Sequence, residues 1–533
     1  MSEKNFAGYS KRREEEARDR ARRRRTTRTA SIIAAVVIII AAAAFFVNSD
    51  YLRGHTTAYE VDGVKFSAAD YKLLYSETVN YYYQWYIYLG ADSGSAPDFS
   101  QNNWSAQIFD SSTGQTWGEY FAESARSSLI EIGTLVRLAE QDGFTLSDED
   151  KAQIQASLDE TLESYKKSGY KSFAVYAKSA GAHGMTDAAY IRLNELRELA
   201  ARYSEWKSAA FAYTPEQLTA HYEKNADTLD YFTYRAILVK PEPVNEEDYA
   251  DDANGLANAK LEAMTAAEEK ASAYGERISA LPRDEREAEF IKVAKEYDSA
   301  LYAADASTKS EVLGSALPSV AKDWFYEQVR SCGCILVKRD SDDADAATGF
   351  YVYLYVERSS NDYSARNFRQ LVVAPAAVDT SESIYVNEDG TPNEAAIETQ
   401  EKANALEAQS KAERIYEEWA EAGFTEDALA GLIKEEDASG AAADGIHDDI
   451  PKQSTSFDKE VMDWLYSDER KPGDHINIHG DGGEWYILCF RGVGRTYADV
   501  LADNELRAAD VTAWQEGYRA DAKITAGWGS RFV

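Results

Sequence analysis

The chain has 533 residues, 44% of them hydrophobic, with 57 Lys and Arg against 92 Asp and Glu and a formal net charge of −35. That length exceeds what one hydrophobic core serves and predicts roughly three to four structural units. The negative charge argues against a nucleic-acid binder, and three cysteines exclude a disulfide framework.

What positive charge there is concentrates at the start. Residues 1–30 hold 11 basic and 5 acidic side chains, which leaves −41 on everything that follows. Residues 30–47 (ASIIAAVVIIIAAAAFFV) then run for eighteen positions without a charge, the length that just spans a bilayer core as a helix. With Arg22, Arg23, Arg24, Arg25 and Arg28 ahead of it, the positive-inside rule places a basic tail, 1–29, in the cytoplasm and the C-terminal region outside. The expectation is a single-pass membrane protein. A cleaved signal peptide competes, because the alanines at 41–44 suit a signal peptidase. The long polar lead and the continuing Phe45, Phe46 and Val47 favour the uncleaved anchor.

Residues 57–66 read as a short strand pair turning at Asp62-Gly63. Ser67 is placed to cap a helix, with Asp70 at capping-box distance. The helix that follows sets Tyr71, Leu74, Tyr75, Val79, Tyr82, Tyr83 and Tyr86 at three- and four-residue steps. Its last turns add Tyr81, Trp85, Ile87 and Tyr88, so its end is aromatic on nearly every side. Packing inside a helical domain explains that composition. A polypeptide-binding surface formed by Tyr82, Tyr83, Trp85 and Tyr86 explains it too, since tyrosine offers apolar area with a wettable tip.

Further helices are expected near 117–141, 147–168, 171–181, 186–211 and 214–225, with Ser147 and Thr214-Pro215 as starts and Gly143 and Gly169 as stops. Residues 57–228 therefore form a mostly helical unit. From 229 the pattern becomes strand, helices, strands, and does so twice. The first pass has a strand at 232–240, helices near 255–279 and 284–297, and strands near 334–338 and 350–357. The second has a strand at 367–374, helices near 393–422, 425–435 and 457–467, and strands near 475–479 and 484–491. Ala236 to Tyr351 spans 115 residues and Gln370 to Tyr486 spans 116, a spacing that points to two copies of one domain, 229–360 and 364–495. A last helix near 497–522 belongs to a C-terminal segment, 496–533.

The opening strands of the copies, Tyr234-Arg235-Ala236-Ile237-Leu238-Val239 and Phe368-Arg369-Gln370-Leu371-Val372-Val373, resemble the first strand of parvulin-type prolyl isomerases. The order Val61-Asp62-Gly63, Ser67 to Tyr71, Tyr213-Thr214-Pro215-Glu216-Gln217-Leu218, Leu313-Gly314, Gly349-Phe350-Tyr351, Gly445-Ile446 and Lys471-Pro472-Gly473-Asp474 is similar to that of the SurA/PrsA-like extracytoplasmic foldases. The resemblance implies an α+β protein: an N-terminal transmembrane helix, a mostly helical chaperone domain, then two parvulin-like domains with small antiparallel sheets. It further implies that the family's facing histidines align with Ala236, Tyr351, Gln370 and Tyr486, with Asp298 and Asp437 near its acidic position. None of the four is histidine.

Prolyl rotation needs no nucleophile, but alanine cannot join the hydrogen-bond network that the histidines support, whereas glutamine and tyrosine can in part. The expected function is thus a membrane-anchored chaperone for unfolded or nascent translocated polypeptides, weak or inactive in catalysis. An active isomerase and a non-catalytic envelope scaffold are the alternatives. No cofactor, metal or nucleic-acid partner is expected. His475 and His479 fall on one strand face about 13 Å apart, too far for one ion, and Cys332-Gly333-Cys334 lies beside a strand whose geometry disfavours a bridge.

Overall fold

The computed structural model describes residues 31–40, 46, 49–89, 96–101, 103–327, 331–344, 346–387, 390–436, 444–467 and 469–533. Among them no helix is long and apolar enough to cross a membrane. This overturns the expected transmembrane helix at 30–47 and with it the single-pass topology with a cytoplasmic N-terminus. Of that stretch the described residues, 31–40 and 46, are helical; the ten consecutive described ones rise about 15 Å, half of a hydrocarbon core of about 30 Å. Residues 30, 41–45 and 47, and the basic segment 1–29, lie outside the described residues. The α+β character with small antiparallel sheets is present.

The chain divides into two units, Met1–Ala212 with Ala509–Val533, and Tyr213–Ala508. The first opens with helix α1 (Asp50–His55) and strands β1 (Thr57–Val61) and β2 (Val64–Ser67). Asp62 (φ 49°) and Gly63 (φ 98°) turn this hairpin, the Asp-Gly pair meeting the demand for two positive φ angles. Helix α2 (Ala68–Leu89) follows, capped by a reciprocal box in which the Ser67 N–H donates to Asp70 Oδ2 at 2.7 Å and the Asp70 N–H to Ser67 Oγ at 3.1 Å. After a small hairpin, β3 (Ile108–Asp110) and β4 (Gln115–Thr116), come α3 (Trp117–Asp142), α4 (Asp148–Lys167), α5 (Phe173–Ser179) and α6 (Asp187–Ala209). Capping boxes start α3 at Thr116 and α4 at Ser147, and left-handed Gly143 stops α3. Phe66, Leu129, Phe173 and Tyr203 fill the core. The last residues of the chain complete this unit. A short strand, Ile524–Ala526, pairs with β1, Val61 opposite Ile524 and Tyr59 opposite Ala526.

The second unit starts with α7 (Pro215–Lys224) and α8 (Ala226–Leu229). Its first sheet body comprises β5 (Tyr231–Val239), α9 (Ala253–Ser279), α10 (Arg286–Tyr297), β6 (Lys309–Leu313), α11 (Lys322–Tyr326), β7 (Ile335–Arg339) and β8 (Phe350–Ser359). The second comprises β9 (Ser364–Val373), α12 (Glu394–Glu421), α13 (Glu426–Glu436), β10 (Ile446–Ile450), α14 (Lys459–Leu465), β11 (His475–His479) and β12 (Trp485–Thr496). Helix α15 (Tyr497–Asp521) and β13, the strand at Ile524–Ala526, end the chain. The sheets have strand orders β6-β5-β8-β7 and β10-β9-β12-β11, the same path traced twice. Register repeats as well. Ala236 lies opposite Tyr353 and Leu238 opposite Tyr351; Gln370 lies opposite Leu488 and Val372 opposite Tyr486.

Alternation along each first strand divides the two faces of its sheet. Ile237 and Val239 meet α9 and α10, and Leu371 and Val373 meet α12 and α13. A matching ion pair ties strand to helix in both bodies: Arg235 Nε donates to Glu287 Oε1 at 2.9 Å, and Arg369 Nη2 lies 3.5 Å from Glu426 Oε1. Gly314 follows β6, whereas Gly445 (φ 70°) precedes β10 with its carbonyl accepting from the Gln370 N–H.

The two bodies differ in titrating groups. His475 stacks on Phe424 at 3.6 Å between ring centres, its Nδ1 2.7 Å from the Tyr416 hydroxyl, and His447 lies 4.9 Å from Phe368 and 5.0 Å from Phe457. Burial holds both imidazoles below their ordinary range, so they fold neutral. The unfolded chain takes up protons near pH 6.5. Their contribution is therefore complete above about pH 6.5 and is lost as pH falls toward the lower folded values. Residues 231–359 contain no histidine. Hydrogen exchange between about pH 7 and 5.5 should show the second body loosening ahead of the first, with the difference shrinking in His475→Phe. Parallel loosening of both bodies would show that these histidines do not govern it.

Candidate functional site

The positions aligned with isomerase histidines fall on the sheet faces away from the long helices. Ala236 and Tyr351 share one face with Phe232, Tyr234, Tyr353 and Tyr355. They are not directly opposed: Ala236 faces Tyr353 across the strands, and Tyr351 is the diagonal neighbour, stacked on Tyr353 at 5.0 Å. Phe325 packs over this face at 4.9 Å from Tyr234 and 5.8 Å from Tyr353. This face of the first body is thus filled with aromatic core.

In the second body Gln370 and Tyr486 share a strand face with Phe368, Leu488 and Phe490, and Val461, Trp464 and Leu465 of α14 pack against that cluster. Gln370 Oε1 is buried without a hydrogen-bond partner. Burial, with help from Asp458 and Glu484, raises the Tyr486 hydroxyl to about 12, so it stays protonated. Asp298 serves its own turn, accepting from the N–H groups of Ala300 at 3.0 Å and Leu301 at 2.9 Å. Asp437 lies outside the described residues. Among the described residues no group of three or more His, Cys, Asp or Glu could hold a metal ion, and the three cysteines are free thiols.

The helical unit carries a different kind of site. The aromatic end of α2 splits three ways because its tyrosines occupy successive positions around the helix. Tyr82 turns inward, its hydroxyl 2.9 Å from that of Tyr120 and its ring 4.9 Å from Trp117. Tyr83 and Tyr86 rest on Phe99, at 5.2 and 5.4 Å, and Phe99 rests on Trp104 at 4.9 Å. Tyr81, Trp85 and Tyr88 make an outer edge-to-face ladder at 6.2 and 6.4 Å.

Beside the Tyr83 face opens a groove of about 460 Å³, lined by Val79, Tyr83, Phe99 and Trp104 on one side and by Tyr165, Phe173, Tyr176 and Tyr190 on the other, with Ser76, Glu77 and Asn80 among its polar atoms. Phe173 and Tyr190 stack at 3.8 Å, and Tyr165 and Tyr176 lie 4.3 Å apart. Burial raises the Tyr165 and Tyr190 hydroxyls above the ordinary tyrosine range, so they remain neutral donors. No protein-family model and no curated protein matches the sequence.

Of the four aromatic residues expected to bind polypeptide, then, Tyr83 lines the groove, Tyr86 backs it through Phe99, Trp85 stands on the outer ladder and Tyr82 packs inward. Sequence reasoning missed Phe99, Trp104, Tyr165, Phe173, Tyr176 and Tyr190. The dense aromatic spacing of 165, 170, 173 and 176 was visible, but nothing local links it to α2. This arrangement is suited to binding: its described lining offers apolar ring area, neutral hydroxyl donors and one carboxylate.

Proposed function

We propose that this protein is a polypeptide-holding chaperone whose aromatic groove and α2 ladder grip apolar segments of unfolded chains. One observation carries the reading. Beyond Tyr83 (42% exposed), the same helix end leaves Tyr81 56%, Trp85 41%, Ile87 59% and Tyr88 83% exposed. Apolar residues clustered in the open beside a groove mark an interaction surface, where scattered ones do not. Relation to the SurA/PrsA-like foldases is part of the same proposal, supported by the strand path that the two sheets repeat.

The full chain at equimolar dose should suppress light scattering by an aggregating unfolded protein. Tyr83→Ser, Trp85→Ser and Tyr88→Ser combined should weaken that suppression several-fold, because exposed substitutions of this kind leave a fold largely intact. No suppression by the parent, or equal suppression by the triple variant, would count against the reading.

Prolyl isomerisation by the second body is the other reading, favoured by the unpartnered Gln370 Oε1 beside Tyr486. Proline-limited refolding takes roughly 10 to 100 s at 25 °C. The expected result is no acceleration. Acceleration that disappears in Gln370→Ala would reverse that expectation and assign the activity to this body.

A further inference from the structure

The groove is apolar in area but not neutral in preference. Glu77 is the charged side chain among its described lining residues. Arg197 of α6 pairs with this carboxylate, Nη1 at 3.2 Å from Oε1 and Nη2 on Oε2. Arg197 does not line the aromatic groove. It lines the neighbouring hollow with Leu74, Thr78 and Ile132, so it holds Glu77 from the far side. A carboxylate has about four acceptor directions, which leaves capacity toward the rings.

Tyrosine faces attract cations, and the long stems of lysine and arginine pack well on apolar surface. Burial is the main cause of the raised Tyr165 and Tyr190 hydroxyls; the Glu77 carboxylate adds to both, and Arg197 opposes it at Tyr190. Charge on a larger scale has the same sign. Residues 50–212 with 509–533 hold 26 Asp and Glu against 17 Lys and Arg, and residues 213–508 hold 61 against 29. A field of that sign draws in basic segments and repels acidic ones.

We infer that the groove selects extended segments of unfolded polypeptide that set an arginine or lysine among the tyrosines, its cation against Glu77 and its stem on the ring faces. This rests on the holding function proposed above and adds the chemical class of segment held.

The test uses the full chain and a labelled 15-residue peptide of Ala, Leu and Tyr bearing two arginines, compared by fluorescence anisotropy with the same peptide bearing citrulline. Citrulline keeps the shape and removes the charge. The arginine peptide should bind at least tenfold more tightly. Glu77→Gln should cut that ratio below threefold. Glu516→Gln removes the same charge from an exposed site on α15 outside the groove lining and should preserve the ratio.

A parent ratio under twofold overturns the inference, as does an equal ratio in Glu77→Gln. An equal fall in Glu516→Gln would overturn it by assigning the preference to net charge alone. If neither peptide binds although the chain suppresses aggregation, the inference falls and the holding function stands. If neither binds and nothing is suppressed, both fall.

Discussion

Arg192→Met is expected to lower the stability of the helical unit by about 3 kcal/mol. Asp70 is 0% exposed, and its Oδ2 collects three donors: the Ser67 N–H at 2.7 Å, Ser67 Oγ at 3.0 Å and Arg192 Nη2 at 2.5 Å. Oδ1 has no hydrogen-bond partner. Removing the guanidinium leaves a desolvated carboxylate neutralised only by its own helix cap, and breaking a buried pair from one side costs far more than the pair contributes.

Asp70→Asn should cost less, since Arg192 is partly exposed and can return to water while the amide oxygen still accepts the cap bonds. The double variant should then be more stable than Arg192→Met alone. Because a chain of more than one unit need not unfold in one step, the reading should come from hydrogen exchange at β2 and α2. Protection in Arg192→Met equal to the parent's would sink the prediction.

Gly314→Ala is expected to destabilise the first sheet body by a similar amount, about 3 kcal/mol. A Cβ at this position would lie 1.8 Å from the Asp227 carbonyl oxygen and 3.0 Å from the Phe232 ring. The nearer obstacle is backbone, which no rotamer change can clear. Moving it disturbs a tied junction: the Gly314 N–H donates to the Asp230 carbonyl at 2.8 Å, while the Asp230 carboxylate holds the Tyr222 hydroxyl at 2.7 Å and Arg358 Nε at 2.6 Å.

Gly431→Ala is the control. It sits inside α13 with open space around its would-be Cβ, so it should stabilise by about 0.5 to 1 kcal/mol. Segment-resolved exchange separates the two cases. A Gly314→Ala protein as protected as the parent would show that the junction yields cheaply.

Structure near in sequence was legible. The Asp62-Gly63 turn, the caps at Ser67, Ser147 and Thr214, and the stop at Gly143 are set by partners within a few residues, and each is formed. The strand expected at 232–240 is Tyr231–Val239, and the last helix, expected at 497–522, is Tyr497–Asp521. Two edge strands, β6 and β10, were not seen, whereas β7 and β11 were. Lys309–Leu313 and Ile446–Ile450 read KSEVL and IHDDI, short and polar enough to pass for loop, because an edge strand buries little and shows no clean alternation. The apolar run at 30–47 misled for the opposite reason. Hydrophobicity there was plain, but among the described residues no helix is long and apolar enough to cross a membrane.

The sequence by itself determined the class of unit, the repeat spacing and the aromatic richness of α2, because composition, periodicity and capping act over a few residues. Tertiary structure alone decided which aromatic residues line the groove and which pack inward. Tyr82 and Tyr83 are neighbours of identical chemistry, yet one faces Trp117 and the other a groove completed by Tyr165, Phe173, Tyr176 and Tyr190. Those partners lie about 80 to 110 residues away along the chain. The same is true of β13, which closes on β1 from the far end of the chain through backbone hydrogen bonds that leave no side-chain signature. Contacts of that span are set by packing many side chains at once, so no local pattern encodes them.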